Sequence, residues 1–297
     1  MTGYFLLTLG ELYIDEAVQF TQSLRRFKDN RPVSILVKEG QEEYAQNKGV
    51  FDKVLTLEEG TLYKLVDKPF EKYCLLPRLE ILKYLPYREA IVIDTDVICI
   101  HDPENLWRIF RDKGQPFNCT GSYYDPSYHW EKIDQINEKL KMNIQAVHGG
   151  LFYINKQFGE RELEQFFLYF MYAFVHYDEL GFKRALDNSR DDSGLSMTDE
   201  ILIGYAMSKM NFKILDFSLY PSITFEMYGY LADKMKIPNY IQSWYWFSLY
   251  HEKLGKDYPE YLNKPIPFIH CFGSQNDKSK SYEKIKKLIY STSQEYL

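Results

Sequence analysis

Two aspartates lie one residue apart in the stretch IVIDTDVIC, residues 91–99. Asp94 and Asp96 end an apolar run that is typical of a buried strand. An ionised carboxylate that leaves water needs a cation or hydrogen-bond donors to replace its hydration, so we expect a counter-ion nearby. In an ideal strand, residues i and i+2 share a face, and two carboxylates at a strand end can bind one hard cation such as Mn²⁺ or Mg²⁺. A turn in which one Asp caps backbone amides and the other is solvated is an equally good interpretation of so short a pattern.

The order of elements before the doublet predicts where it lies in the fold. Strand-like runs alternate with helical patterns from YFLLT to FDKVLTL, and this βαβαβ order predicts a parallel sheet with helices on its faces. A further strand, EAIVID, ends at the doublet. Ligands of open α/β sheets bind at the carboxyl ends of the strands. This position therefore favours a binding role over a structural one.

The second half of the chain continues the α/β pattern. GGLFYIN predicts another strand, and residues 156–177 predict a long helix with an aromatic core face. Residues 178–197 are polar and contain turn-forming residues, which predicts a surface loop. We find no internal repeat and no linker. The sequence therefore predicts one domain over residues 1–297, with an aromatic-rich C-terminal elaboration at about residues 211–297.

Composition narrows the class of protein. The chain has 297 residues, of which 45% are hydrophobic and 26% charged, as in a folded globular protein. A net charge of −6 argues against a nucleic-acid partner. Its four cysteines lack paired metal-ligand spacing, and its N-terminus lacks the basic region of a signal peptide. No apolar run reaches the ~20 residues that span a bilayer. These features predict a cytoplasmic protein without a transmembrane segment.

Further motifs follow one another between Thr8 and Gly273: TLGELYIDEAVQFTQSL, FDKV, VIDTDVICIHDPENLW, VHGGLFYIN, TDEIL and IHCFGS. Their order resembles that in the GT-A glycosyltransferases, and within them glycosyltransferase family 8 and the glycogenin-like enzymes. No single motif is specific, and the common order carries the resemblance. It implies an α/β fold of the GT-A type, a nucleotide-binding sandwich whose mixed, mainly parallel central sheet is flanked by helices.

The resemblance implies a role for each motif. Tyr13 is implied as the ring near the uracil of UDP. Arg78 is implied as the basic residue on the donor's sugar and phosphates and, with Asp199, as a catalytic residue. The implied ligands of Mn²⁺ or Mg²⁺, in a D-x-D motif with a late histidine, are Asp94, Asp96 and His270. The implied donor-binding residues are Thr8, Leu9, Gly10, Tyr13, Arg78, Asp94, Thr95, Asp96, His148, Gly149, Gly150, His270, Gly273 and Lys278.

Each of these residues has a structural alternative. Tyr13 is one of 26 tyrosines, for which a core position is the default interpretation. Arg78 is also consistent with an exposed helix residue. The pair Gly149–Gly150 fits a bulge as well as a close approach of ligand to backbone. Asp199 is also a favourable acid at a helix N-terminus, and His270 by itself is typical of a core histidine.

Three positions depart from the family's pattern. His148 stands where the family has Asn, which leaves a contact to a sugar hydroxyl open. Glu200 stands in place of Gln, and an acid removes donors and adds charge, so it can alter acceptor or sugar preference. The sequence SQNDKSK replaces Lys-Pro-Trp, and Lys278 lies two positions late for the phosphate contact.

These observations predict a metal-dependent glycosyltransferase that moves a hexose from a nucleotide sugar, in our interpretation a UDP-sugar, to a hydroxyl of a saccharide acceptor. The resemblance implies retention of configuration without a dedicated protein base. A sugar nucleotidyltransferase is the second interpretation, although that class carries a glycine-rich loop with lysine, and TLGELYIDE has one glycine and no lysine. A catalytically silent carbohydrate-binding protein on the same scaffold is the third, and the altered motifs suggest it.

Residues 218–250 are unusually rich in aromatic side chains. Aromatic rings suit the apolar faces of sugars, so we hypothesise that at least one of Trp244, Tyr245 and Trp246 lines an acceptor cleft. Residues 178–197 would lie near its mouth. A packed C-terminal core is the alternative, and it is slightly favoured because aromatic stripes are usually core.

Overall fold

The computed structural model describes residues 1–66, 75–99, 101–121, 133–145, 147–182, 199–215 and 267–270. In these segments the strands are β1 (Thr2–Thr8), β2 (Val33–Val37), β3 (Lys53–Thr56), β4 (Glu89–Ile93), β5 (Val97–Cys99), β6 (Phe117–Gly121), β7 (Val147–Asn155) and β8 (Phe268–His270). The helices are α1 (Glu11–Arg26), α2 (Glu42–Gln46), α3 (Thr61–Lys64), α4 (Leu76–Leu79), α5 (Ile81–Tyr84), α6 (Glu104–Asp112), α7 (Ile133–Leu140), α8 (Glu160–Val175), α9 (Tyr177–Leu180) and α10 (Asp199–Met210). Strands and helices alternate from β1 to β4, as the pattern predicts.

Six strands form the central sheet in the order β3-β2-β1-β4-β7-β6. The four strands β1 to β4 are parallel, and β7 is antiparallel to both of its neighbours. The prediction of a mixed sheet flanked by helices is confirmed. Ile93 pairs with Leu151, so the first residues of β7 lie just beyond the carboxyl end of β4.

Apolar side chains fill both faces of this sheet. Successive residues of a strand point to opposite faces, so a continuous apolar run supplies both. Tyr4 and Leu6 of β1 belong to the core cluster on the α1 face, whereas Phe5 between them belongs to the cluster on the other face. The α1 face also contains Ile14, Ala17, Phe20 and Trp107. The opposite face is covered by α8 and α10, through residues such as Phe166, Phe170, Leu202 and Ala206.

A second, two-stranded sheet joins β5 to β8 in antiparallel register, with Val97 opposite His270. Phe268 is fully buried. Its ring centroid lies 6.2 Å from that of Tyr4 and 5.8 Å from that of Phe20. The strand β8, late in the sequence, is thereby anchored in the core cluster on the α1 face. It lies next to the turn that contains the two aspartates.

The long helix begins later than the sequence predicts. Its first residue is Glu160, not residue 156. The N–H of Gln157 donates to the side chain of Asn155 at 2.9 Å, and the N–H of Phe158 donates to its carbonyl oxygen at 3.2 Å. These bonds form a turn after β7, so the helix starts only beyond it.

The loop prediction for residues 178–197 is wrong at its start. Residues 178–180 belong to α9, which ends at Gly181 with a left-handed φ of 86°. Glycine adopts this conformation readily and so completes a helical turn that the polar composition hides. Residues 183–198 lie outside the described residues.

Several other predictions also lie outside the described segments. They concern Trp244, Tyr245, Trp246, Gly273, Lys278 and most of residues 211–297. The single domain over residues 1–297 and its C-terminal elaboration therefore stay predictions. Among the helices that the structure describes, none is both long and apolar enough to cross a membrane.

Candidate active site

Arg78 lies at the centre of a charged edge of the central sheet. Pro77 stands in the first turn of α4, where its fixed φ suits a helix start. Arg78 Nη1 donates to the carbonyl oxygen of Gly149 at 2.7 Å and also to the carboxylate of Asp199, while Nη2 donates to Asp94. The counter-ion expected for Asp94 is thus a guanidinium in this structure. One cation links the end of β4, the start of β7 and the first turn of α10.

Gly149 lets the carboxylate of Asp199 approach β7. A Cβ at Gly149 would lie 2.6 Å from Asp199 Oδ2, closer than real contacts allow. A Cβ at Gly204 would likewise collide with the backbone oxygen of Gln145. Two glycines therefore let α10 pack closely and present its first residue to Arg78. The backbone of His148 lies in β7 beside them, and its side chain is outside the description.

Glu200 follows Asp199 in the first turn of α10. Its Oε1 accepts a long hydrogen bond from the N–H of Gly149, at 3.5 Å. Burial, and secondly the adjacent charge of Asp199, raises the pKa of Glu200 from its ordinary value of 4.5 to about 8. The shift favours the protonated form, and a neutral carboxylic acid keeps one donor. Glu200 thus resembles the amide of the family pattern more closely than the sequence alone indicates.

Asp94 and Asp96 lie in a turn between β4 and β5. The same-face geometry predicted for an ideal strand does not apply, because the chain turns at Thr95 and Asp96. The N–H of Asp94 donates to Gly150 O at 2.9 Å, and 28% of its side chain is exposed. Asp96 is 5% exposed. Thr95, between them, donates its hydroxyl to Glu16 Oε2 at 2.7 Å.

The residues around this turn fit a hard divalent ion by their donor chemistry. The turn offers two carboxylates, and the register of β8 sets His270 opposite Val97, the residue after Asp96. Carboxylate oxygens suit Mn²⁺ and Mg²⁺, and imidazole is a common ligand of divalent transition metals. Within the segments described, no three His, Cys, Asp or Glu side chains form a metal cluster. The side chain of His270 is outside the description, so the three-ligand site stays a prediction.

The turn after β1 contains the residues predicted to contact the nucleotide. Thr8 is buried, and its hydroxyl donates to the carbonyl oxygen of Leu36 at 3.0 Å. Leu9 packs partly against the core. A Cβ at Gly10 would lie 3.2 Å from Cδ2 of Tyr13, so this glycine lets the ring fold back over the turn. Because β1 and β4 are parallel neighbours, the ring lies at the same edge of the sheet as the acidic turn.

Sequence analysis missed Glu16. This residue of α1 is 6% exposed and accepts the Thr95 hydroxyl described above. A signal was present, because Glu16 precedes Phe20 by one helical turn and Leu24 by two. A helix that buries one face normally has apolar residues along such a stripe. A glutamate there indicates a buried polar partner.

Comparisons with known proteins identify the fold. No family model and no curated protein matches the sequence. Mouse xyloside xylosyltransferase 1, in its apo form, matches with a TM-score of 0.57 and 10% identity over 93% of this chain and 99% of that one. The galactosyltransferase LgtC, in complex with donor and acceptor sugar analogues, matches with a TM-score of 0.54 and 13% identity over 98% and 96%. This is the GT-A glycosyltransferase fold. The bifunctional glycosyltransferase WbbM, in its apo form, matches with a TM-score of 0.53 and 13% identity over 98% of this chain and 51% of that one.

The likeness at these identities concerns the fold, and membership in family 8 stays a prediction. In open α/β sheets the ligand crevice lies outside the carboxyl ends of the strands. Tyr13, the acidic turn and Arg78 all lie at that edge. The GT-A fold and the position of the charged residues therefore indicate the same side of the molecule.

Proposed function

We propose that this chain is a metal-dependent glycosyltransferase that moves a hexose from a UDP-sugar to a hydroxyl group of a saccharide, with retention of configuration. The grouping of Arg78 with Asp94 and Asp199 at the carboxyl edge of a GT-A sheet carries the proposal. Arg78 joins two carboxylates that come from distant parts of the sequence, and Glu200 lies beside them as a third acid.

Arg78 suits a diphosphate chemically. Its planar guanidinium keeps its charge at every relevant pH and presents paired donors that match phosphate oxygens. In the structure these donors bind two carboxylates, whose anionic oxygens accept hydrogen bonds as phosphate oxygens do. We propose that a donor diphosphate shares this guanidinium when it binds. Asp199 then orients a sugar hydroxyl, because an ionised carboxylate is a strong acceptor.

The acidic turn supplies the proposed metal ligands. Asp94, Asp96 and His270 would hold Mn²⁺ or Mg²⁺. A bound ion would supply Lewis-acid stabilisation of the negative charge that develops on the leaving UDP. Tyr13, folded over Gly10, offers a ring for the uracil. LgtC, which shares the fold, binds donor and acceptor sugar analogues, and this supports a nucleotide sugar and a saccharide as the partners proposed here.

One assay separates this proposal from the two alternatives. The protein is incubated with Mn²⁺ and a panel of nucleotide sugars, and release of free nucleotide is measured with and without pyrophosphate. We expect slow, metal-dependent hydrolysis of one UDP-sugar without added acceptor. Turnover that requires pyrophosphate would instead identify a sugar nucleotidyltransferase. Binding of sugars without any turnover would identify a carbohydrate-binding protein.

A further inference from the structure

Two buried side-chain hydrogen bonds attach α1 to the chain that contains the acidic turn. Thr95 Oγ1 donates to Glu16 Oε2 at 2.7 Å, and the N–H of Cys99 donates to Ser23 Oγ at 2.9 Å. Glu16 and Ser23 are two helical turns apart and therefore lie on one face of α1. This face follows the segment from Thr95 to Cys99. The helix and the segment are joined at both ends.

The carboxylate of Glu16 lies at a position where its burial is energetically unfavourable. Glu16 is buried, and its neighbours along the helix face, Phe20 and Leu24, are fully buried apolar residues. Burial of a carboxylate is unfavourable unless hydrogen bonds replace its water, whereas an apolar residue here would extend the core. Thr95, which accordingly bonds to Glu16, is the residue between Asp94 and Asp96. The polar contact therefore acts at the centre of the turn.

We propose that Glu16 is a positioning residue for the acidic turn: by holding Thr95, it fixes Asp94 and Asp96 relative to each other. The inference rests on the proposed function, because it assigns Glu16 to the metal and diphosphate site. In a turn, the directions of adjacent side chains are coupled through the shared backbone dihedral angles. A fixed central side chain therefore restricts both flanking carboxylates. Residues that orient metal ligands in this way typically change metal affinity 10- to 100-fold, on the order of magnitude seen for outer-shell partners.

Titration of Mn²⁺ in the presence of UDP, by calorimetry, tests the inference. Glu16→Met keeps the length and removes the acceptor, and Thr95→Val keeps the shape and removes the donor. Each should weaken Mn²⁺ binding roughly tenfold, and the double variant should be no weaker than either single variant. Glu16→Gln retains an acceptor and should bind within about twofold of the unsubstituted protein. The inference would be overturned if the losses of Mn²⁺ affinity in the two single variants added in full in the double variant. It would also be overturned if Glu16→Gln bound Mn²⁺ as weakly as Glu16→Met.

Ser23→Ala is the matched control. It removes the other bond between α1 and this segment, at Cys99, and leaves the bond to Thr95 intact. We expect a lower melting temperature with unchanged Mn²⁺ affinity. Weaker Mn²⁺ binding by this variant, equal to that of Glu16→Met, would show that any loosening of α1 has the same effect and would overturn a specific role for Glu16.

Amide hydrogen exchange of the metal-free protein separates this inference from the proposed function. The N–H of Asp94 bonds to Gly150 O, so its exchange rate reports the order of the turn without any ligand. We expect at least roughly tenfold faster exchange in Glu16→Met and Thr95→Val, with unchanged rates in β2. Unchanged exchange at Asp94 would overturn the positioning role. If the unsubstituted protein binds no Mn²⁺ with UDP, the proposed function fails, and this exchange measurement still decides the role of Glu16.

Discussion

The two ends of β4 each contain a carboxylate beside an arginine, and they differ in how the charge is balanced. At the amino end, Glu89 accepts hydrogen bonds from the hydroxyls of Thr2 and Tyr153, both at 2.7 Å, and from Arg111 Nε at 2.6 Å. Burial by itself raises the pKa of Glu89, but the bonds from Arg111, Thr2 and Tyr153 outweigh it and hold the pKa below its ordinary value. At this end, hydrogen bonds from three residues stabilise the ionised form of the carboxylate.

Among the residues that the structure describes, the carboxyl end of β4 has more acid than base. Arg78 is shared by Asp94 and Asp199, and the pKa of Glu200 beside them is raised by burial and by Asp199. Groups with strongly shifted pKa values concentrate at functional sites, because stability alone favours complete pairing. The same strand therefore ends in a stabilising cluster on one side and, on the other, in the cluster that we propose as the metal and donor site. Four substitutions test this contrast.

The largest effect is expected at the acidic turn. Asp96→Asn keeps the side-chain volume and removes the charge, so metal-dependent turnover of the donor should fall by roughly 100- to 1000-fold. The melting temperature should change little. Asp102→Asn, a few residues further along the chain, is the control for loss of one negative charge. Undiminished turnover by Asp96→Asn would remove this residue from the site and with it the contrast between the two ends.

The opposite result is expected at the amino end. Glu89→Gln removes the charge that Arg111 and Tyr153 share, and it should lower the free energy of unfolding by about 1–3 kcal/mol. Donor turnover should stay unchanged. Glu104→Gln is a control, because Glu104 also pairs with arginines, with Arg31 and with Arg111 at 3.5 Å, but its side chain is mostly exposed. Glu104→Gln should lower the free energy of unfolding by less than about 1 kcal/mol. A loss of turnover in Glu89→Gln, measured at a temperature where the variant is folded, would contradict the assignment of this end to stability.

The pH dependence of stability should have opposite signs at the two ends. The raised pKa of Glu200 means that the folded state holds a proton that the unfolded state releases, so stability falls as pH rises from 4.5 to about 8. Glu200→Gln should abolish this fall, and urea unfolding at several pH values measures it. The lowered pKa of Glu89 acts in the other direction. The contribution of Glu89 to the free energy of unfolding is present above the pKa of the unfolded state. It is lost as pH falls through the pKa of the folded state. An unchanged profile in Glu200→Gln would contradict the acid excess described for the carboxyl end.

The smallest effect on the proposed donor site is expected at Tyr13, beside the turn after β1. Tyr13→Ala removes a ring whose stacking contributes on the order of 1 kcal/mol, which corresponds to about fivefold weaker UDP binding. The apparent donor constant should rise more than the maximal rate falls. Tyr13→Phe keeps the ring and should bind UDP normally. Equal affinity for Tyr13→Ala would place the base elsewhere along this edge.

The elements were largely predictable from the sequence, because strand and helix periods are local properties of the chain. The apolar runs of β1 and β4 are each formed by residues that are neighbours in the sequence. The partners of Arg78 were not predictable in this way. The residue was assigned to the donor by resemblance, yet its bond to Asp199 spans 121 positions and depends on how closely α10 packs on β7. The turn after Asp94 was one of two interpretations that the sequence left open, because so short a pattern does not distinguish a turn from a continued strand.

The pairing of β5 with β8 makes the site a late product of biosynthesis. The strand Val97–Cys99 emerges from the ribosome long before Phe268–His270, and at translation rates of ~5–20 residues per second the delay is on the order of 10 s. During that interval Tyr4 and Phe20 lack the ring that covers them in the finished core. A nascent or prematurely terminated chain therefore exposes apolar surface around these two rings. It also lacks His270, the proposed histidine ligand. The proposed site is therefore complete only after translation has passed β8.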